Sequence, residues 1–118
     1  MDNKEFSILL EKRTKTFAVE IIKLSAKLPN TIESKVIRNQ ITKSGTSIGA
    51  NYREANRARS KADFKNKIKI SFGEANETVY WLEIIVEMNW LKQDDLHSIT
   101  NEAKEILAIF TSISNKLS

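Results

Sequence analysis

The sequence predicts an all-α fold, an antiparallel up-down-up-down four-helix bundle formed as a single domain over residues 1–118. Three observations carry it. Apolar residues recur at steps of three and four in four separate stretches, the period of a helix with one buried face. Three Gly and one Pro are too few for an all-β chain, which needs a turn about every ten residues. The stretches are joined by short connections, and short connections set each helix against its sequence neighbour. With 41% hydrophobic and 29% charged residues, the composition is that of an ordinary globular domain and excludes wholesale disorder.

The first helix, residues 3–28, is marked by Phe6, Leu10, Arg13, Phe17, Ile21, Leu24 and Leu28. Only Arg13 interrupts that stripe. Pro29 stops the helix because its ring cannot continue the hydrogen-bond ladder. Asn30 to Glu33 has the residue types of a capping box and opens the second helix, residues 31–56. Its stripe is Ile37, Ile41, Ser44, Ile48, Asn51 and Ala55, small and polar in the second half. Residues 56–60 lose the stripe and form the break. Ser60 with Asp63 is an N-cap pair, and the third helix, 61–89, follows through Phe64, Ile68, Ser71, Ala75, Val79, Leu82 and Val86. The fourth, 93–117, begins at Asp94 and Asp95, carboxylates suited to the positive end of a helix dipole. It continues through Leu96, Ile99, Ala103, Ile106, Phe110, Ile113 and Leu117.

Several kinds of chemistry are absent from this pattern. With no cysteine there is no disulfide, thiolate metal site or cysteine nucleophile, which fits a reducing compartment. The N-terminus lacks a secretory leader and no segment has the length of a membrane span, so a cytoplasmic protein is expected. Asp94-x-x-His97 has metal-ligand spacing, but a di-iron bundle needs the motif on two helices and this chain has one His. His97 reads instead as a solvated first-turn residue. The same lone His leaves no Ser-His-acid constellation, and no nucleophile elbow occurs. The chain is expected to be no enzyme and to hold no metal or cofactor.

Gly45 and Gly49, one turn apart in the second helix, invite a phosphate-loop reading. A Walker-type loop has Lys-Ser/Thr after its last Gly and a strand before its first, whereas Ala50-Asn51 follow here and a helix precedes. With Ser44 and Ser47, the pair reads as a small-residue surface where another helix comes close, since a helix-interior Gly costs about 1 kcal/mol relative to Ala. Glu74, Glu77, Glu83 and Glu87 make the second half of the third helix acidic, as a solvated face or as partners for basic neighbours. For Glu77 an inward placement toward Asn51 and Glu54, as a buried polar network, is also open.

The net charge is +4, unevenly spread. Residues 35–69 hold ten Lys/Arg against Glu54 and Asp63, a balance of +8; residues 70–118 hold three Lys against eight acids, a balance of −5. The cations of the middle third are Lys35, Arg38, Lys43, Arg53, Arg57, Arg59, Lys61, Lys65, Lys67 and Lys69. Arg53 and Arg57 stand one turn apart, as do Lys61, Lys65 and Lys69, giving basic rows on either side of one loop. Such rows suit phosphate oxygens and give salt-dependent nucleic-acid binding with little base discrimination. An ordinary solvated face has the same composition. Tyr80, Trp81, Ile84, Ile85 and Met88 add a second apolar surface to the third helix. It suggests a homo-oligomer, with a wide core contact as the alternative.

The string Ser44-Gly45-x-Ser47-Ile48-x-x-Asn51-Tyr52-x-Glu54-Ala55, followed by Asp63-Phe64, Ala75-Asn76-Glu77-Thr78 and Trp81-Leu82, resembles a family of small bacterial four-helix-bundle proteins. These were first noticed in intervening sequences of 23S ribosomal RNA genes, and the family includes accessory variability proteins of diversity-generating retroelements. The resemblance covers almost the whole chain. It implies a homopentamer with a basic surface and, for the retroelement members, binding of nucleic acid and of a reverse transcriptase. No catalytic residue is implied. Ser47, Asn51, Glu54, Asp63 and Glu77 match as family landmarks of structural character, grouped with Gly45 and Gly49 as a helix-packing motif. Many relatives read Gly-Ser in the third helix where this chain has Gly73-Glu74, which argues against a tight helix contact there. The expected function is nucleic-acid binding by a non-enzymatic oligomer. The alternative is a protein-interaction scaffold or accessory subunit whose basic patch meets an acidic partner.

Overall fold

The computed structural model describes residues 2–118. It contains four helices in order: α1 Asn3–Ser25, α2 Ile32–Ala55, α3 Lys61–Met88 and α4 Gln93–Lys116. Each packs on its sequence neighbour, and α1 closes against α4 over the smallest contact. The molecule extends 44 × 26 × 21 Å, its long axis matching the roughly 42 Å of a 28-residue helix at 1.5 Å per residue.

The helix ends follow local chemistry. Asp2 caps α1 by accepting the Glu5 N–H, and Ser60 caps α3 by accepting the Asp63 N–H as its sequence predicts. Each helix ends one to three residues before the expected position and α2 starts one residue later; two departures have a visible cause. α1 ends at Ser25 rather than residue 28, because Pro29 has no N–H to bond the Ser25 carbonyl and its ring clashes with that carbonyl in a continued helix. Lys27 N–H donates to Leu24 O and Leu28 N–H to Ser25 O, tightening the last turn. The cap of α2 is Thr31, whose hydroxyl accepts the Ser34 N–H at 3.1 Å, not Asn30. At the end of α3, Asn89 takes the left-handed conformation, φ 56° and ψ 34°, a usual way to stop a helix. α4 starts after Lys92 without a side-chain cap, with Asp94 and Asp95 in its first turn.

Leu10, Phe17, Ile21, Leu24 and Leu28 enter the core from the first stripe, beside Ile41, Ile48, Ile68, Leu82, Ile106 and Phe110 from the others. Phe6 is 40% exposed and leaves the stripe, since the first turn projects past the packed length. Arg13 is accommodated by charge pairing. Its Nε and Nη2 donate to the two carboxylate oxygens of Glu102 at 2.7 and 2.6 Å, bridging α1 to α4. That pairing raises the Arg13 pKa further, so the guanidinium stays charged.

Gly45 and Gly49 bring α2 against α1. A Cβ at Gly45 would lie 2.8 Å from Ile21 Cγ2, and one at Gly49 2.8 Å from Thr14 Oγ1. The small, polar half of the α2 stripe is thereby explained on both sides. Toward α3, Ser71 Oγ donates to Ile48 O at 2.9 Å. Thr78 Oγ1 donates to Glu74 O at 2.8 Å and stands 2.9 Å from Ser44 Oγ. The buried polar seam is thus made of hydroxyls. Glu77 is exposed and forms no inward network with Asn51 and Glu54, because the hydroxyls satisfy one another without desolvating a carboxylate. Asn51 bonds back to Ser47 O, and Ser47 to Lys43 O, within α2.

Candidate nucleic-acid interface

The up-down connection brings the end of α2, the start of α3, the start of α1 and the end of α4 to one end of the bundle. Arg53, Arg57, Arg59, Lys61 and Lys65 are carried there. The ten cations named from sequence do not form one site. Arg38 is turned inward, its Nη2 donating to Leu28 O at 2.7 Å and Pro29 O at 3.2 Å. It therefore satisfies carbonyls left free at the end of α1, which a guanidinium does well. Lys35 lies about 27 Å along α2 from Arg53 at 1.5 Å per residue, near the other end. Lys43 sits midway and faces Glu74, where its charge opposes the rise in that carboxyl's pKa. Burial is the main cause of the rise, with Glu77 adding to it.

At the basic end the cations divide again. Arg53 Nε and Arg57 Nη1 stand 3.4 and 3.7 Å from Glu11 Oε1, while Asn56 Nδ2 donates to Glu11 Oε2 at 2.9 Å. One carboxylate of α1 therefore gathers two guanidinium groups of α2. Glu11 was not among the residues singled out in the sequence, yet the approach of Thr14 to Gly49 places it level with Arg53. Lys67 Nζ pairs with Glu54 at 3.5 Å, tying α3 to α2. Arg59, Lys61, Lys65 and Lys69 form no ion pair among the described residues. Asp63 is in the first turn of α3.

The same end holds a hollow of about 630 Å³ between α2, α3 and α4, floored by Ala55, Ala58, Phe64 and Leu117 and rimmed by Arg59 and Lys61. Phe64 and Leu117 also pack on the core. Sequence reasoning placed both in stripes without seeing the hollow, since it depends on the end of α4 meeting the start of α3, a contact far apart in the chain.

The apolar surface expected on α3 is partly internal. Ile85 is fully buried and belongs to the core, because α3 packs against both α2 and α4 and so buries a wide face. Trp81 and Ile84 are half-buried, while Tyr80 and Met88 are 55% and 51% exposed. The Trp81 Nε1–H is buried without a hydrogen-bond partner, and its ring meets Tyr80 edge-on at 5.0 Å between centroids. At Gly73, on the outer side of α3, an added Cβ would meet nothing within 4 Å. The absence of a tight contact there agrees with the Gly-Glu departure noted in the sequence. His97 is exposed, with Nε2 3.3 Å from Asn101 Nδ2. No helix is long and apolar enough to cross a membrane among the described residues.

Comparison with known proteins finds both a family and solved structures that this chain resembles. Residues 8–112 match the family described as 23S rRNA-intervening sequence protein. A solved structure from Bacteroides thetaiotaomicron, described as a protein of unknown function from the S23 ribosomal protein family, superposes with a TM-score of 0.80 at 43% sequence identity, covering 88% of this chain and 96% of that one. No functionally curated protein matches. At that identity, and with the family match extending over most of all four helices, the chain belongs to the 23S rRNA-intervening sequence protein family.

Proposed function

We propose that the protein is a non-enzymatic, cytoplasmic, oligomeric helical bundle that binds nucleic acid, structured RNA or DNA, through the basic end of the bundle. The observation that carries this is the set of cations around the α2–α3 connection, where Arg59, Lys61, Lys65 and Lys69 have no carboxylate partner among the described residues. Unpaired cations fixed on helix ends neutralise phosphates and release counterions, so affinity falls steeply with salt. Four such contacts give a slope of log K against log salt of about −3.6 on duplex DNA and about −2.8 on a single strand. Repetition in an oligomer multiplies a weak patch by effective concentration. The family resemblance favours a homopentamer, and exposed Tyr80 and Met88 favour self-association through α3.

A gel-shift series at rising salt tests the function. Binding at low salt that weakens along the matching slope is expected; no binding to any RNA or DNA at low salt overturns it. Replacing Arg59, Lys61 and Lys65 together by Ala is expected to weaken binding across all sequences alike, and unchanged affinity moves the site elsewhere. A monomer mass by light scattering removes the oligomer. The same unpaired cations favour a second reading, a protein-interaction scaffold or accessory subunit whose basic patch docks an acidic protein such as a reverse transcriptase. That reading gains if nucleic acid fails to bind while such a partner is retained.

A further inference from the structure

We infer that the hollow at the basic end accepts one unpaired nucleobase, so that the protein selects single-stranded segments over duplex; this rests on the nucleic-acid reading above. The hollow joins two chemistries that a nucleotide also joins. Its floor is apolar, built from Ala58, Phe64 and Leu117, and its rim carries Arg59 and Lys61. The hollow, about 630 Å³, is an open depression, so a base can enter it from solvent while its sugar and phosphate stay outside. A base has a flat apolar face, which stacks on an aromatic ring, and always brings a phosphate with it. An apolar protein side chain would fill the floor and leave both rim cations unmatched.

The backbone adds to the rim. Ser60 Oγ and Ser60 O take the Asp63 and Phe64 N–H groups, which leaves the Lys61 and Ala62 N–H groups at the positive end of α3, where anions are favoured. Asn56 donates its amide to Glu11, and its amide oxygen remains to accept from the amino edge of a base. In a duplex the bases are stacked on one another and would have to be flipped out to reach Phe64, a cost that a single strand does not bear.

The test is fluorescence anisotropy at one salt concentration with a single-stranded oligonucleotide and a blunt duplex of equal length. The wild-type protein is expected to bind the single strand about tenfold more tightly, the effect of one base–aromatic stack. Phe64→Leu, which keeps apolar bulk without the ring, and Ala58→Leu, which fills the hollow from the connection, are each expected to erase that preference. Duplex affinity and the salt slope should stay unchanged in both. Because Phe64 also packs on the core, Ala58→Leu carries the test if Phe64→Leu does not fold. Equal wild-type affinity for the two nucleic acids overturns the inference, as does a preference that survives in Ala58→Leu. If Ala58→Leu instead changes the molar mass and leaves the preference intact, the occupant is a second copy and the inference fails. Duplex and single strand both unbound at low salt would remove the nucleic-acid reading itself.

Discussion

At Gly45 and Gly49 an added methyl would drive into Ile21 and Thr14, whereas at Gly73 it would meet open space. The inner side of α2 and the outer side of α3 thus use one residue type under opposite constraints. On α2 the missing side chain lets two backbones approach, and the conformational cost of Gly is offset by packing on both helices. On α3 that cost of about 1 kcal/mol has no compensation within one copy of the chain. The difference teaches that a Gly in a helix must be judged by what faces it, not by its spacing to the next.

Substitutions can break or sharpen this contrast. The largest loss is expected for Gly49→Ala, because the new Cβ would press on the Thr14 side chain and lie 3.3 Å from its backbone carbon, which cannot rotate away. Overpacking of this kind costs about 1–3 kcal/mol, read as a lower urea midpoint with unchanged slope. Gly45→Ala should follow, since Ile21 is fully buried and has no room to move. Stabilisation by either would show that α1 and α2 separate easily. Next, Thr78→Val removes the hydroxyl beside Ser44 and should cost about 1–2 kcal/mol by leaving a buried group unsatisfied.

Gly73→Ala carries the opposite sign. It is expected to stabilise the isolated chain by up to about 1 kcal/mol, read as a raised Tm at low protein concentration. If the substitution also shifts the molar mass toward monomer, a second copy approaches at Gly73 and supplies the missing reason for the glycine.

The smallest effect is Glu74→Gln. Burial first and Glu77 second raise the Glu74 carboxyl, with Lys43 opposing, so the native state holds this proton more tightly than the unfolded chain does. Stability from this group is complete below the ordinary carboxylate range and falls as pH rises through the raised value. Glu74→Gln should flatten that fall and add no more than about 0.5 kcal/mol at pH 7. A steeper pH dependence in the variant would reverse the assignment.

Much of the fold was legible because it is periodic. The four stripes, the Pro29 stop, the Ser60 cap and the closeness demanded by Gly45 and Gly49 all follow from local spacing. Errors arose where a residue's neighbour lies far along the chain. Arg38 reads as one more surface cation until the free carbonyls at Leu28 and Pro29 are beside it. Ile85 reads as surplus apolar surface until α3 is seen to pack on two helices. At the candidate site the charges were visible in the sequence, but their sorting was not. Glu11 occupies Arg53 and Arg57, Glu54 occupies Lys67, and the hollow beside Arg59 needs Leu117 from the last turn of the chain.

The up-down order of the helices has a practical side. Asn3 and Lys116, the outer ends of α1 and α4, share the end of the bundle that carries Arg59 and Lys61. An affinity tag or fused protein attached at either would crowd that end, and a basic tag would counterfeit its charge. The connections on both sides of α2 and α3 at the far end, around Asn30 and Asn89, stand almost a full helix length away. A dye or a surface tether placed there would leave the cation-bearing end open to solution.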